Sequence, residues 1–267
     1  MTYGEICRLL KDAGIDNYRQ EAAILIEELC GSFEEEKDYN SSALASAVEK
    51  RCVRYPLQYI IGKWWFARCE FEVNENCLVP RPDTELIVEL AQKRLPKNAS
   101  FADLCTGSGC IAISVLDLRA DTVGDAYELY PKTLEIAQRN AARNGVEKRF
   151  CPIQGDVLEP DLLGDKRYSA IISNPPYIRT DGIETLETEA KTEPRAALDG
   201  GADGLIFYRS IVKNFAKNLE DGGFFLLEIG YDQADDLKKI ASDNGFSCEI
   251  YKDLGGCDRA ALLRKMS

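Results

Sequence analysis

Apolar side chains recur at helical spacing through the first 55 or so residues of the chain. The first predicted helix places Ile6 and Leu10 on one face and ends near Gly14. Two further amphipathic segments end at Gly31 and before Pro56. The spacing therefore predicts a small helical domain, with three short helices packed on their apolar faces.

The pattern changes to a β-like one between residues 59 and 79. This stretch is rich in aromatic residues and alternates at Phe71-Glu72-Val73, which predicts a β-hairpin that joins the helices to the rest of the chain. The proline-containing segment 79–85 follows it and is expected to form a rigid linker that opens a helix.

Short apolar strands alternate with helical stretches after residue 100. The predicted strands are residues 101–104, 123–127, 169–173, 223–229, 246–251 and 259–263, and the predicted helices are 111–118, 133–144 and 233–242. Such alternation is typical of a doubly wound α/β domain. Ligands of this architecture bind beyond the carboxyl ends of the strands, so candidate chemistry is expected in the loops that follow them.

Composition sets few further limits. The 267 residues are 45% hydrophobic, enough for one large domain or for a medium domain with a small companion. No apolar run approaches membrane-spanning length, and the residues after Met1 lack the pattern of a signal peptide. A cytoplasmic location is expected.

The chain has ten cysteines and no histidine. The cysteines are irregularly spaced without a C-x-x-C pair, so we interpret them as reduced and mostly buried, and we predict no metal site. The lack of histidine excludes every catalytic triad, dyad or general base that depends on imidazole.

Net charge is −12, and both the first 79 residues and the remainder carry more acidic than basic side chains. A protein that follows a phosphate backbone usually needs a basic face. The charge therefore argues against DNA or long RNA as the substrate.

The tetrapeptide Asn174-Pro175-Pro176-Tyr177 follows a buried apolar strand and has the chemistry to hold a planar amino group. Asn174 offers a side-chain carbonyl as acceptor. The backbone carbonyl of Pro175 is a second acceptor, and Pro176 restricts its direction before any substrate arrives. Tyr177 offers a ring face on which a planar amide or base can lie. These residues are the predicted acceptor site.

A cofactor site is predicted at three places along the α/β region. The glycine loop after the first strand contributes Asp103, Cys105, Thr106, Gly107, Ser108 and Gly109. Glu128 ends the second strand, where a carboxylate can accept both hydroxyls of a ribose. Asp156 is placed to accept from an adenine amino group, with Val157 against the ring. The loop is not G-x-G-x-x-G and no hydride-transfer partner is evident, so S-adenosylmethionine fits better than NAD.

These motifs together resemble the PrmC/HemK family of protein-(glutamine-N5) methyltransferases. The resemblance also covers the segments 56–62, 79–85 and 193–205, and it extends over nearly the whole chain. It implies a helical release-factor-binding domain at residues 1–58, a β-hairpin linker at 59–79 and a methyltransferase domain at 80–267. The last would have a Rossmann-like, seven-stranded class I α/β fold.

The resemblance also implies the reaction and the partner. S-adenosylmethionine would be the donor and S-adenosylhomocysteine the product, and the acceptor would be the glutamine of the Gly-Gly-Gln motif in peptide chain release factors, the proteins of translation termination. Asn174, Pro175 and Tyr177 would be catalytic, with Asn174 also beside the cofactor. The expected reaction is a direct in-line displacement that needs no dedicated base. A monomer without membrane or nucleic-acid partners is expected.

Two positions depart from the family pattern. Family members often have glycine where this chain has Cys105, and aspartate where it has Glu128.

The segment Glu193-Pro194-Arg195 is open to two interpretations, contact with substrate or the ordering of a loop.

Three other functions remain alternatives at this point. A related glutamine methyltransferase acting on a ribosomal protein shares the acceptor chemistry. An N6-adenine or N2-guanine nucleic-acid methyltransferase has an acceptor of the same planar geometry. A non-catalytic scaffold that binds S-adenosylmethionine is the alternative outside enzymes.

Overall fold

Four helices form the N-terminal part of the chain in the computed structural model, which describes residues 1–266. They are α1 (Tyr3–Asp12), α2 (Tyr18–Cys30), α3 (Ser42–Cys52) and α4 (Leu57–Ile61). Thr2 and Glu5 close a capping box at the start of α1, and Ser41 caps α3. The apolar faces of these helices form a buried cluster of their own. The predicted helices are confirmed, with α4 in addition.

A two-stranded hairpin follows, made of β1 (Lys63–Phe66) and β2 (Cys69–Glu72). The β-like pattern was predicted to begin at Tyr59, which is wrong for residues 59–61 because they belong to α4. Pro56 precedes this helix and Gly62 ends it at φ +78°. Both flanking residues favour a short helix over the aromatic β-propensity of the segment.

A seven-stranded sheet with the order β5-β4-β3-β6-β7-β9-β8 forms the centre of the remaining chain. Its strands are β3 (Ser100–Leu104), β4 (Val123–Glu128), β5 (Phe150–Gln154), β6 (Tyr168–Ser173), β7 (Leu219–Glu228), β8 (Phe246–Lys252) and β9 (Asp258–Lys265). Neighbouring strands are parallel except for β9, which runs antiparallel to β7 and β8. The predicted seven-stranded α/β fold is confirmed.

Six further helices lie in this part of the chain, and all but the five-residue helix at Thr188–Thr192 flank the sheet. They are α5 (Glu85–Arg94), α6 (Cys110–Leu118), α7 (Pro131–Arg143), α8 (Thr188–Thr192), α9 (Ile206–Phe215) and α10 (Ala234–Asp243). Successive side chains of a strand face opposite sides. Ile171 and Ile172 of β6 accordingly belong to different apolar clusters, one on each face of the sheet. Burial on both faces explains why this strand is a continuous apolar run.

Three elements of the α/β region, β5, α8 and α9, are missing from the sequence prediction. Helix α8 has five residues and buries none of them, so it leaves no apolar pattern. Strand β5 lies at the edge of the sheet, where Pro152 is tolerated but interrupts the strand pattern. Helix α9 is amphipathic and buries Tyr208 and Phe215, although no boundary signal precedes it. Across residues 1–266, no helix is long and apolar enough to cross a membrane.

Candidate active site

A cavity of about 810 Å³ opens beyond the carboxyl ends of the parallel strands. Strand β3 lies between β4 and β6, so the chain crosses over to opposite sides of β3 and leaves a crevice there. The loop after β3, the end of β4 and the loop after β6 all contribute to the lining of the cavity. This is the site predicted for a ligand.

The glycine loop combines three residues with positive φ. Cys105 and Gly107 both have φ +58°, and Gly109 has φ +83°. A Cβ on Gly109 would lie 2.7 Å from Cδ1 of Ile113, whereas one on Gly107 would meet nothing within 4 Å. Gly109 is therefore favoured by its positive φ together with close packing under α6, while Gly107 leaves its backbone open toward the cavity.

Asp103 is completely buried beneath this loop. Its Oδ2 atom accepts hydrogen bonds from Thr106 Oγ1 at 2.6 Å and from the backbone N–H of Ala112 at 3.2 Å. Oδ1 has no hydrogen-bond partner among the described residues. Burial raises the pKa of this carboxyl to about 7, against the opposing effect of its two donors.

Glu128 ends β4 on the opposite side of the loop, buried at the cavity wall. Its Oε2 accepts from the N–H of Gly107 at 3.0 Å, and Oε1 accepts from the N–H of Tyr130 at 3.1 Å. Burial raises the pKa of Glu128, although these backbone donors favour its charged form. Both oxygens are thus held in position, and each keeps a further lone pair.

The third predicted cofactor position also reaches the cavity. Asp156 and Val157 both line it, with Asp156 half-buried and Val157 buried. One oxygen of Asp156 accepts from the N–H of Leu158 at 2.8 Å, and its other oxygen makes no hydrogen bond with the described residues. Ser108 lines the wall as well, and its buried hydroxyl has no partner in residues 1–266.

The structure separates the members of the Asn-Pro-Pro-Tyr tetrapeptide. Asn174 and Pro176 line the cavity, whereas Pro175 and Tyr177 are absent from its lining. Asn174 Nδ2 donates to Thr84 Oγ1 at 3.3 Å. The Tyr177 hydroxyl donates to Glu228 Oε1 at 3.2 Å, and its ring packs against the apolar cluster on the α9 side of the sheet. The expected contact of Tyr177 with an acceptor amide stays a prediction.

Residues 198–204 pack directly across the backbone of this tetrapeptide. A Cβ on Gly200 would lie 2.7 Å from Tyr177 Cα and 2.8 Å from the Pro176 carbonyl oxygen. The Tyr177 carbonyl accepts from Gln233 Nε2 at 3.0 Å. Glycine at position 200 is therefore what lets the two backbones approach.

The segment Glu193-Pro194-Arg195 divides between the two interpretations left open above. Glu193 is buried, forms an ion pair with Arg81 and accepts from the N–H of Val79 at 3.2 Å. Its contacts tie the segment to the linker before α5, which is an ordering role. Pro194 and Arg195 line the cavity, and Arg195 is half exposed with weak pairs at 3.5 Å to Glu184 and Asp199.

Sequence reasoning missed two buried polar residues behind Asn174. Thr84 is 1% exposed and Glu228 is 2% exposed. Glu228 ends β7 as an acid within the apolar run Leu226–Ile229, and that isolated charge was the available signal. Thr84 gave no signal, because a threonine before a helix is an ordinary boundary residue. Within the part of the chain described, no cluster of side chains could hold a metal ion.

The strand order, the glycine loop and the acid at the end of β4 define a class I methyltransferase fold. A methyltransferase from Pyrococcus furiosus has the same fold, with a TM-score of 0.55 and 18% identity over 73% of this chain and 87% of that one. The family described as "Methyltransferase small domain" matches residues 82–198.

Relatives with greater sequence similarity identify the family. The release factor glutamine methyltransferase of Geobacter sulfurreducens is 40% identical over 94% of this chain and 90% of its own length. That of Thermodesulfovibrio yellowstonii is 36% identical over 97% and 90%. This chain belongs to the family of release factor glutamine methyltransferases, so the resemblance noted in the sequence is confirmed.

Proposed function

We propose that this protein transfers a methyl group from S-adenosylmethionine to the side-chain amide nitrogen (N5) of a glutamine in peptide chain release factors. The glutamine of their Gly-Gly-Gln motif is the expected acceptor, and S-adenosylhomocysteine is the second product. The observation that carries the proposal is a single cavity that joins the glycine loop, Glu128 and Asp156 to Asn174. Donor and acceptor groups can therefore meet in one place.

The residues of the cavity fit S-adenosylmethionine. Glu128 offers two held oxygens for the ribose hydroxyls, while Asp156 has an oxygen available for the adenine amino group beside Val157. The open backbone at Gly107 offers further polar atoms, whereas Asp103 lies beneath the loop and does not line the cavity. The donor, when bound, supplies a methyl group already activated by its positive sulfur.

The protein's contribution to transfer is mainly the positioning of the acceptor. An amide nitrogen is a poor nucleophile because its lone pair is delocalised into the carbonyl group. Asn174 and the Pro175 carbonyl would each accept one amide hydrogen and hold the nitrogen toward the methyl group. The released proton passes to water, so the scheme requires no dedicated base.

The helices before residue 59 are proposed to bind the body of the release factor. They form a separate apolar cluster, and α3 contacts the segment beyond the tetrapeptide through Arg51 and Glu189. The domain limits 1–58, 59–79 and 80–267 are part of this proposal, except that residues 59–61 join the helical domain as the end of α4. A monomer is expected because one chain supplies every named residue of the site, and sedimentation would test it.

The experiment offers labelled S-adenosylmethionine to a release factor, a ribosomal protein and RNA in parallel, with the label then mapped by mass spectrometry. Label on the glutamine of a Gly-Gly-Gln motif is the expected result. Label on the ribosomal protein or the RNA would favour one of the two enzyme alternatives. Binding of the donor without transfer to any of them would favour the scaffold.

Asn174→Ala is the matched variant for this assay. It is expected to lose methyl transfer while keeping the thermal unfolding curve of the wild type, because Asn174 is only half-buried. Wild-type turnover by Asn174→Ala would contradict the role given to this residue.

A further inference from the structure

A series of polar contacts leads from Asn174 and Thr84, which both line the cavity, to the buried Glu228 carboxyl. Asn174 Nδ2 donates to Thr84 Oγ1, and Thr84 in turn faces the Glu228 carboxyl. Oε1 of that carboxyl accepts from the Tyr177 hydroxyl. Thr84 comes from the turn before α5 and Glu228 from the end of β7, so the contacts join three separate parts of the chain.

The carboxylate of Glu228 determines the direction of the hydrogen bonds in this series of contacts. An ionised carboxylate only accepts, whereas a hydroxyl can both donate and accept. Thr84 lowers the pKa of Glu228 more than any other neighbour does, which is the effect of a donor. With its hydrogen directed to Glu228, the Thr84 oxygen is left to accept from the amide of Asn174.

No hydrogen bond of normal geometry joins Thr84 to Glu228 within residues 1–266. Oε2 of Glu228 is buried and has no partner of normal hydrogen-bond geometry within residues 1–266. A buried acceptor without a partner is costly. The Thr84 hydroxyl is therefore favoured to point its hydrogen toward the carboxylate of Glu228.

We propose that Thr84 and Glu228 are positioning residues that orient the amide of Asn174 so that its oxygen faces the acceptor nitrogen. The proposal rests on the proposed function. In the opposite orientation, the Asn174 oxygen would meet the oxygen of Thr84, and its NH2 group would face the NH2 group of the acceptor. Two NH2 groups cannot hydrogen-bond usefully, so only one orientation supports transfer.

The orientation depends on the ionisation of Glu228. Burial raises its pKa to about 7. The groups that face it are Arg259 of β9, Asp83 of the turn before α5, Tyr177, Tyr208 of α9 and Cys110 of α6. Arg259 is the only cation among them, and it also pairs with Asp253 and Asp83. A protonated Glu228 can itself donate to Thr84, which removes the preference for one amide orientation.

The test compares Thr84→Val with Thr84→Ser in the full-length protein, using the release factor as acceptor. Valine keeps the shape of threonine and removes its hydroxyl, whereas serine keeps the hydroxyl. Thr84→Val is expected to lower kcat about tenfold, the effect of one lost hydrogen bond of ordinary strength. Its affinity for S-adenosylhomocysteine, measured by calorimetry, should equal that of the wild type, and Thr84→Ser should recover most of kcat.

The pH profile separates an orienting role from a merely structural one. Wild-type kcat is expected to fall as pH decreases through about 7, and this acidic limb should be absent from Thr84→Val and from Glu228→Gln. A wild-type kcat for Thr84→Val, or an unchanged acidic limb in both variants, would overturn the inference alone. If the wild type itself methylates no release factor, the proposed function fails and the inference fails with it.

Discussion

Cys105 stands in a left-handed backbone conformation at the position where family members often have glycine. Residues with a Cβ pay a steric cost in this conformation, whereas glycine does not. Burial changes the acidity of two carboxyl groups near this loop and cavity. Asp103 and Glu228 are both buried at the ends of strands, and burial raises the pKa of each to about 7. Conformation and burial, which the residue names do not reveal, determine how these side chains behave.

Cys105→Gly is expected to raise the free energy of unfolding by about 1 kcal/mol, because it removes the strain of a left-handed residue with a Cβ. Urea denaturation of the ligand-free protein would measure the change. Cys105→Ala is the control, since it removes the thiol and keeps the Cβ, and it should show no such gain. Equal stability of the glycine and alanine variants would mean that φ +58° costs nothing here.

Glu228→Gln is expected to stabilise the protein relative to the wild type by an amount that grows as pH rises from about 4.5 to about 7. The folded-state pKa of about 7 lies above the ordinary value of 4.5, so the folded state holds its proton more tightly than the unfolded one. The wild type therefore loses stability between pH 4.5 and 7, where the buried carboxyl must ionise. The neutral glutamine has no such loss.

Unfolding of the two proteins by urea at pH 4 and pH 8 measures this difference. The variant should lie close to the wild type at pH 4 and exceed it at pH 8 by at most about 3 kcal/mol, from 1.36 kcal/mol for each pKa unit. A gap of the same size at both values would show that Glu228 does not titrate in this range.

At the scale of elements, the loop from Leu198 to Gly204 holds the tetrapeptide after β6 in place. Ile178 exchanges backbone hydrogen bonds with this loop, donating to Leu198 and accepting from Gly200. Gly204 has φ +75°, and a Cβ there would lie 2.5 Å from the Tyr177 carbonyl oxygen. The tetrapeptide is thus supported by a second, distant segment of sequence.

Gly204→Ala is expected to lower the free energy of unfolding by about 3 kcal/mol, from the strained φ together with a backbone clash. It should also lower methyl transfer, because the clash displaces the tetrapeptide. Gly222→Ala is the matched control, since Gly222 has φ +78° but a Cβ there meets nothing within 4 Å. That variant should lose only about 1 kcal/mol and keep full activity. Equal losses for both variants would exclude a specific role of the loop.

At the scale of the whole molecule, ion pairs connect the N-terminal helices to the segment beyond the tetrapeptide. Arg51 of α3 is buried and pairs with Glu21 of α2 at 2.5 Å and with Glu189 of α8 at 3.0 Å. Arg54 also pairs with Glu189 at 3.0 Å. These ion pairs therefore join the N-terminal helices to the segment between the tetrapeptide and the loop at 198–204.

Arg51→Ala is expected to destabilise the protein by about 2 kcal/mol, because it leaves two partly buried carboxylates without their shared partner. Thermal or urea unfolding would measure the loss. Lys217→Ala is the control, since its pair with Asp161 is exposed and should contribute less than about 1 kcal/mol. A loss for Arg51→Ala no larger than that of Lys217→Ala would contradict a structural role for the buried pair.

The sequence by itself determined the features that depend on neighbouring residues. Hydrophobic patterning predicted three of the four N-terminal helices and six of the seven strands. Burial of one face imposes a helical period locally, and burial of both faces makes a central strand a short apolar run. The glycines of the cofactor loop and the tetrapeptide after β6 were recognisable because their chemistry lies within a few consecutive residues. Strand β5 was missed where Pro152 at a sheet edge breaks that local pattern.

Tertiary structure decided what depends on residues far apart in the chain. One such feature is the order of the strands, which follows from the crossovers between elements. The left-handed backbone of Cys105 and the meeting of Thr84, Asn174 and Glu228 are two others. The asparagine of the tetrapeptide could be chosen from sequence as an acceptor, but the direction of its amide could not. The direction of the amide depends on which polar groups the folded chain brings next to Asn174. Because these groups are buried, their hydrogen bonds are stronger than they would be in water.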